Sequence, residues 1–308
     1  MDLRKKITEA MGKVSPEKSF DAKHPYHYRN YQDNLFCAMG DQALQAYGGG
    51  SGGEMIATEQ SPAKMASIAS SSAMTYNLLG DGPIEIVQGY SLPHGFYQVQ
   101  YEKQMYTLNM GSKPANLDAF LSNEYEQTAI FCEMKLLEWL GTSRELKPGY
   151  RTDRYYFDKS VAYPVFDSLR KKIEAENFQR YDAWQMFKHL LAIYNYTSFS
   201  TKADVEAFRK IPSMAGKYTD ITLVNVVNEY PGARLSDDPK VQEYYRRALE
   251  KEHAEKDKFL AIVNNGEVAK LFRDHCNAFI CIQYLSAIEF AACLAMPKEK
   301  EAYLTRYF

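Results

Sequence analysis

The tripeptide Glu133-Met134-Lys135 closes the apolar run Thr128-Ala129-Ile130-Phe131-Cys132, and Asp118 opens a second apolar stretch, Asp118-Ala119-Phe120-Leu121, fifteen positions before Glu133. Along an extended chain successive side chains alternate between faces, so Glu133 and Lys135 share one face and Met134 turns to the other. A neighbouring strand that carries Asp118 then brings two carboxylates and an ammonium together. Carboxylates a few ångströms apart repel unless a cation sits between them, and a hard divalent ion such as Mg²⁺ takes oxygen ligands in this way. The chemistry expected of the set is activation of a metal-bound water, with the lysine facing it. Surface charge is the plainer account of the acids. Against it, Glu133 lies inside an apolar run, where an unpaired carboxylate is costly. A Glu133–Lys135 ion pair of purely structural use competes for the lysine, although isolated exposed pairs contribute little.

The spacing Asp-x14-Glu-x-Lys, with both acids on predicted strands, resembles the PD-(D/E)XK nuclease superfamily. Further segments stand in an order similar to its restriction-endonuclease-like branch: Gly48-Gly49-Gly50-Ser51-Gly52-Gly53-Glu54, Ser70-Ser71-Ser72-Ala73-Met74-Thr75-Tyr76-Asn77, Asn116-Leu117-Asp118 and Glu133-Met134-Lys135. A literal Pro-Asp pair is absent, since Pro114 stands four residues before Asp118 and Leu117 is its neighbour. The resemblance implies a Mg²⁺-dependent endodeoxyribonuclease, with Mn²⁺ as a substitute. Asp118 and Glu133 would ligate the ion, and Lys135 would position the water or offset charge on the pentavalent phosphate. Glu54 carries over as the acid of the first core helix, completing the metal shell or holding a second ion. Glu102 is its rival, because Tyr101-Glu102-Lys103 precedes the Asp118 strand and could present a carboxylate to the same cleft. Gln185, in Trp184-Gln185-Met186-Phe187-Lys188-His189, matches a position that often carries a supporting polar residue, with a helix-surface glutamine as the alternative. His189, one turn later, is a candidate phosphate contact, although a lone histidine is more often structural.

Hydrophobic periodicity supplies the elements that must position these groups. It predicts a helix over 64–79 ended by Gly80-Asp81-Gly82-Pro83, strands over 96–108, around Asp118 and over 127–134, an amphipathic helix over 181–194 and a doubly buried strand over 221–227. That order is αβββαβ. The expected fold is therefore α/β, a mixed central sheet with a restriction-endonuclease-like core over 48–230. Residues 1–47 are expected to form helices covering it, followed by a flexible glycine break at 48–53. Residues 231–308 read as a helical segment packed outside, with two long helices over 241–263 and 268–296. The apolar stretch 278–296 is broken by Gln283 and Glu289 and reads as a buried helix rather than a membrane span. The first residues lack the apolar core of a signal peptide or anchor.

Composition permits this reading without requiring it. The formal net charge is −2 and the pI about 6.3, so DNA must be met by a local basic surface rather than a global field. Residues 134–172 offer one, with nine Lys or Arg against five Asp or Glu, and Lys147, Arg151 and Arg154 are the expected nucleic-acid contacts. Tyr155, Tyr156, Tyr244 and Tyr245, close to Arg154, Arg246 and Arg247, would suit unstacked bases, though most such tyrosines simply pack. Five scattered cysteines, an odd number, argue against a disulfide framework and suit buried thiols in a reducing cytoplasm. His275, Cys276 and Cys281 lack the second ligand pair that zinc requires. No Gly-x-Ser-x-Gly surrounds Ser70–Ser72, and the glycine run lacks the Gly-Lys-Ser/Thr ending of a phosphate loop. Double-strand cutting calls for two active sites and so favours a homodimer. The alternative from another class is a nucleic-acid-binding or protein-interaction module of the same fold without turnover.

Overall fold

Six strands lie side by side in chain order in one sheet: β1 (Ile84–Ile86), β2 (Gly95–Met105), β3 (Ala115–Asn123), β4 (Thr128–Lys135), β5 (Asp220–Val227) and β6 (Phe279–Ser286). The computed structural model describes every residue except 16–19, 50–52, 90, 110–113, 142–144 and 200–212. β1 to β4 are antiparallel, whereas β4, β5 and β6 run parallel. Parallel neighbours need long crossovers, and helices supply them. Between β4 and β5 run α4 (Ala162–Glu176) and α5 (Ala183–Thr197); between β5 and β6 run α6 (Gly232–Leu235), α7 (Pro239–Val263) and α8 (Gly266–Cys276). The sheet is thus mixed α/β, and it changes from antiparallel to parallel at β4.

Alternation along β4 sorts its side chains into two cores. Ile130, Cys132 and Met134 join α1 (Leu3–Val14) and α3 (Ser71–Leu79) on one face, while Ala129 and Phe131 join α4, α5 and α8 on the other. Seven of the eight residues of β5 are buried, as its Ile-Thr-Leu-Val-Asn-Val-Val run predicts for a strand covered on both sides. α5 buries Met186, Phe187, Leu190, Leu191 and Tyr194.

Four expectations are corrected. Residues 268–296 are not one helix: α8 ends at Cys276 with Asn277 in the left-handed region at φ 52°, and Phe279–Ser286 pairs with β5 as the sixth strand. Ser286 and Glu289 then form a capping box that starts the short α9 (Ala287–Ala292), so the C-terminal segment is part of the sheet rather than a purely helical cover. The helix expected over 64–79 is a 3₁₀ turn, Lys64–Ala66, followed by α3. Ser70 Oγ accepts the Ala73 N–H at 3.2 Å, which fixes the helix start there. In the N-terminal part α2 (Asp41–Gly49) runs through the expected boundary at 47 and takes in Gly48 and Gly49; Gly50, Ser51 and Gly52 lie outside the described residues. Of the cysteines, all free, Cys37 and Cys281 are exposed rather than buried. No described helix is long and apolar enough to cross a membrane.

One irregularity serves the site. Glu102 sits at φ 50°, and the β2–β3 ladder passes from Tyr101↔Ala119 to Lys103↔Leu117 without pairing Glu102 to Asp118. Across this break the faces exchange: Tyr101 and Ala119 belong to the first core, Met105 and Leu117 to the second. A left-handed conformation at a non-glycine residue costs on the order of 1–3 kcal/mol and persists only where the surroundings enforce it.

Candidate active site

The break opens a cleft of about 640 Å³ whose walls include Glu54, Glu102, Asp118, Glu133, Lys135 and Gln185. Its location follows from strand pairing. The β3–β4 ladder ends at Ala119↔Cys132, and beyond it Asp118 Oδ2 accepts the Met134 N–H at 2.6 Å, so a carboxylate replaces a strand partner as the strands part. The cleft lies at the carboxyl end of β4, beside the change of strand direction, where open α/β sheets commonly bind ligands.

The β4 wall is tightly connected. Glu133 Oε1 lies 2.6 Å from Lys135 Nζ, the Gln185 amide donates to Glu133 Oε1 at 2.6 Å, and Lys135 Nζ donates to Gln185 Oε1 at 2.6 Å. His189 Nε2 meets the other Glu133 oxygen at 2.8 Å. Positions 185 and 189 are one helical turn apart and present one face of α5 to this carboxylate. Burial pushes the Glu133 carboxyl up, but Lys135 and then His189 outweigh it and hold the group down at about 2. Burial pulls the Lys135 ammonium down, and Glu133, Asp118 and Glu138 together raise it well above its ordinary value. His189 is 1 % exposed, so it anchors Glu133 and is not the phosphate contact considered from the sequence.

The opposite wall carries acids with fewer cations. Burial, and then repulsion from Glu133, raises Asp118 well above the usual carboxylate range despite Lys135 and the Met134 N–H. Burial followed by Glu54 pushes Glu102 up to about 7, against a hydrogen bond from Asn116 Nδ2 at 3.3 Å. Glu54 accepts from Ser72 Oγ at 3.2 Å and pairs with Lys64 Nζ at 3.4 Å. Both rivals, Glu54 and Glu102, therefore line the same cleft.

All these donors are hard carboxylate oxygens, and Asp118 and Glu102 are held toward their neutral forms for want of positive charge, the situation a divalent cation relieves. Among the described residues no group of three His, Cys, Asp or Glu side chains is arranged to hold a metal ion. Mg²⁺ ordinarily takes one or two carboxylates and completes its shell with water and substrate oxygens, so the donor set fits that ion rather than an all-protein cage.

The expected DNA contacts lie elsewhere. Lys147 lines a cavity of about 720 Å³ with Tyr150, Tyr155 and Lys188, and exposed Arg154 stacks on Tyr155 at 5.4 Å. Arg151 is paired with Glu174 at 3.2 Å, and Arg170, Lys171 and Lys172 are engaged by Asp167, Glu174 and Glu267, which neutralises much of the local basic excess. Arg144 lies outside the described residues. Tyr156 and Tyr245 are buried and cannot stack on bases. Sequence reasoning did not assign Ser72 and Asn116 to the two acids they bond. Only the fold brings Ser72 to Glu54.

A family model described as Restriction Endonuclease associating with ARP matches residues 3–211, a span that holds every acid of the cleft together with Lys135 and Gln185. No curated protein and no solved structure matches the chain.

Proposed function

The chain belongs to the REase-ARP family, Restriction Endonuclease associating with ARP, and from that premise we propose that it is a Mg²⁺-dependent endodeoxyribonuclease of the PD-(D/E)XK superfamily. The observation that carries the reading is the meeting in one cleft of Asp118 from β3 with the Glu133, Lys135 and Gln185 knot. With β1 and α4 set aside as additions, the elements α3, β2, β3, β4, α5 and β5 follow the order αβββαβ, which supports the superfamily assignment.

Asp118 and Glu133 would hold the ion, with Glu54 or Glu102 completing its surroundings. When bound, Mg²⁺ supplies a Lewis acid for the phosphoryl oxygen and an acidified water as nucleophile. Lys135 stays protonated and offsets the negative charge that accumulates on the phosphate as attack proceeds. Gln185 fixes the ammonium and the Glu133 carboxylate relative to each other, and His189 prevents Glu133 from turning away. Attack is in line on phosphorus. Free thiols throughout fit a reducing cytoplasm, and cutting both strands calls for a homodimer or a second visit. The association with ARP named for the family extends to this chain as part of the proposal, and co-purification with that partner tests it.

The second reading, a binding module without turnover, draws on the same knot, since Lys135 already neutralises Glu133 and His189 hydrogen-bonds to it. Incubation of plasmid and single-stranded DNA with Mg²⁺ or Mn²⁺ decides between them. The nuclease reading expects cleavage that Asp118→Ala and Lys135→Ala abolish; no cleavage by the unaltered protein with either ion would transfer the case to the module.

A further inference from the structure

Behind the catalytic wall lies a second cavity, of about 470 Å³, and Lys135 and Gln185 line both. Its other walls include Arg4, Arg180 and Glu252. Glu252, on α7, is 1 % exposed, and its Oε2 has no hydrogen-bond partner among the described residues. The Tyr181 hydroxyl, close enough to feel the Glu252 charge, is likewise buried and unpartnered. Buried polar atoms are rarely left so, and one on the wall of a cavity, with a second close to it but outside the lining, marks a place for a polar ligand.

Cationic donors converge on the same space. Arg180 uses its backbone N–H on Glu255 at 2.7 Å, while its guanidinium has no partner among the described residues. Arg4 spends Nε and Nη2 on the Leu137 and Glu138 carbonyls, which leaves Nη1. A Cβ at position 141 would stand 2.5 Å from Arg4 Nη2, so Gly141 leaves room for this guanidinium. The acids of the lining are turned to other work: Glu138 Oε2 accepts the Leu136 and Leu137 N–H groups, and Asp182 Oδ1 accepts that of Gln185.

We infer that this second cavity is a phosphate subsite, which takes a backbone phosphate of the nucleic acid next to the one in the catalytic cleft; the inference rests on the nuclease reading. Arg180 and Arg4 supply planar donor forks suited to phosphate oxygens, and the Glu252 carboxyl supplies a neutral O–H donor. Glu252 meets Glu255 on its own helix, Arg180, Tyr181 and Asp182 before α5, Glu229 after β5 and Tyr284 on β6, with Arg4, Lys135 and Glu138 across the cavity. Burial, then Glu255, Glu229 and Asp182, outweigh Arg180 and push its carboxyl up to about 8, so it keeps its proton at neutral pH.

The test is binding of a fluorescent DNA duplex by the full chain in EDTA, across a salt series, with Arg246→Ala as the control on the exposed face of α7. Arg180→Ala should weaken binding about five- to tenfold and lower the slope of log affinity against log salt by about one, as loss of one phosphate contact does, while Arg180→Lys restores the slope. Between pH 7 and pH 9 Glu252→Gln, which keeps a donor, should lose less affinity than the wild type, since Glu102 in the cleft gains charge in both proteins while Glu252 ionises only in the wild type. An Arg180→Ala protein that matches wild type and Arg246→Ala in affinity and slope overturns the subsite even if the wild type cuts DNA. A wild type that binds with the expected slopes but does not cut with Mg²⁺ overturns the nuclease reading and leaves the subsite. A wild type that binds no DNA removes the subsite outright.

Discussion

The two walls of the acidic cleft treat buried acids in opposite ways. On the β4 wall Glu133 is enclosed by an ammonium, an imidazole and an amide, and its carboxyl stays ionised far below the usual range. On the facing side Asp118 and Glu102 are also desolvated, but Asp118 receives only the attenuated pull of Lys135 and one backbone N–H, and Glu102 an amide and the weak pull of Lys64. Desolvation alone does not decide the charge of a buried acid; the cations built around it do. One side of the site has its counter-charges built in, whereas the other is short of them.

The sharpest way to break this contrast is to remove the built-in cation. Lys135→Ala leaves Glu133 buried with its main counter-charge gone, a loss of about 3–5 kcal/mol by the usual cost of breaking a buried pair. Thermal unfolding should fall accordingly and cleavage should cease. Adding Glu133→Gln should return most of the stability and none of the activity. A Lys135→Ala protein as stable as wild type would show that the knot is not what holds Glu133 ionised.

Asp118→Asn should act with the opposite sign on stability. The amide oxygen can still accept the Met134 N–H, while the repulsion from Glu133 disappears, so the metal-free protein should gain stability even as it loses cleavage. This exchange of stability for function is the expected signature of an acid kept for a ligand. Chemical denaturation in EDTA measures it, and a destabilised Asp118→Asn protein would place Asp118 on the structural side of the comparison.

Glu102 brings the contrast to pH. Its carboxyl sits at about 7 in the folded chain against 4.5 when free, so the folded state binds the extra proton between those values. Stability of the metal-free protein is then greatest below pH 4.5 for this group, falls as pH rises toward 7 and levels beyond it. Since Glu102 is partly exposed, the fall is discounted to about 1 kcal/mol. Glu102→Gln should flatten that part of the profile, read as melting temperature between pH 5 and pH 8 in EDTA.

Which of these features the sequence disclosed follows from how far apart their causes lie along the chain. Glu133 and Lys135 were legible as one-face neighbours because a strand alternates by two, and β5 and α5 because their apolar spacing coincides with their burial. Gln185 and His189 share a face by the same local rule, yet their common target on β4 is fixed only by the crossover. β6 was misread because its apolar residues fit a helix or a strand equally, and the choice is made by pairing with β5, more than fifty residues earlier. The left-handed turn at Glu102 has no glycine to announce it, so the exchange of faces that opens the cleft had no local signal.

The mildest probe lies at the rim of the incomplete wall. Ser72 Oγ donates to Glu54 Oε2 at 3.2 Å, one neutral donor to a carboxylate that also touches Lys64. Ser72→Ala removes one hydrogen bond, about 1 kcal/mol or less because Glu54 keeps its ion pair and partial solvent. If Glu54 helps to hold the metal, the loss should surface less in melting temperature than in the Mg²⁺ concentration for half-maximal cleavage, which should rise a few-fold as the carboxylate gains freedom. If Glu102 fills that role instead, the Mg²⁺ requirement should stay where it was and only the small stability change remain, so this substitution separates the two acids that the cleft brings together.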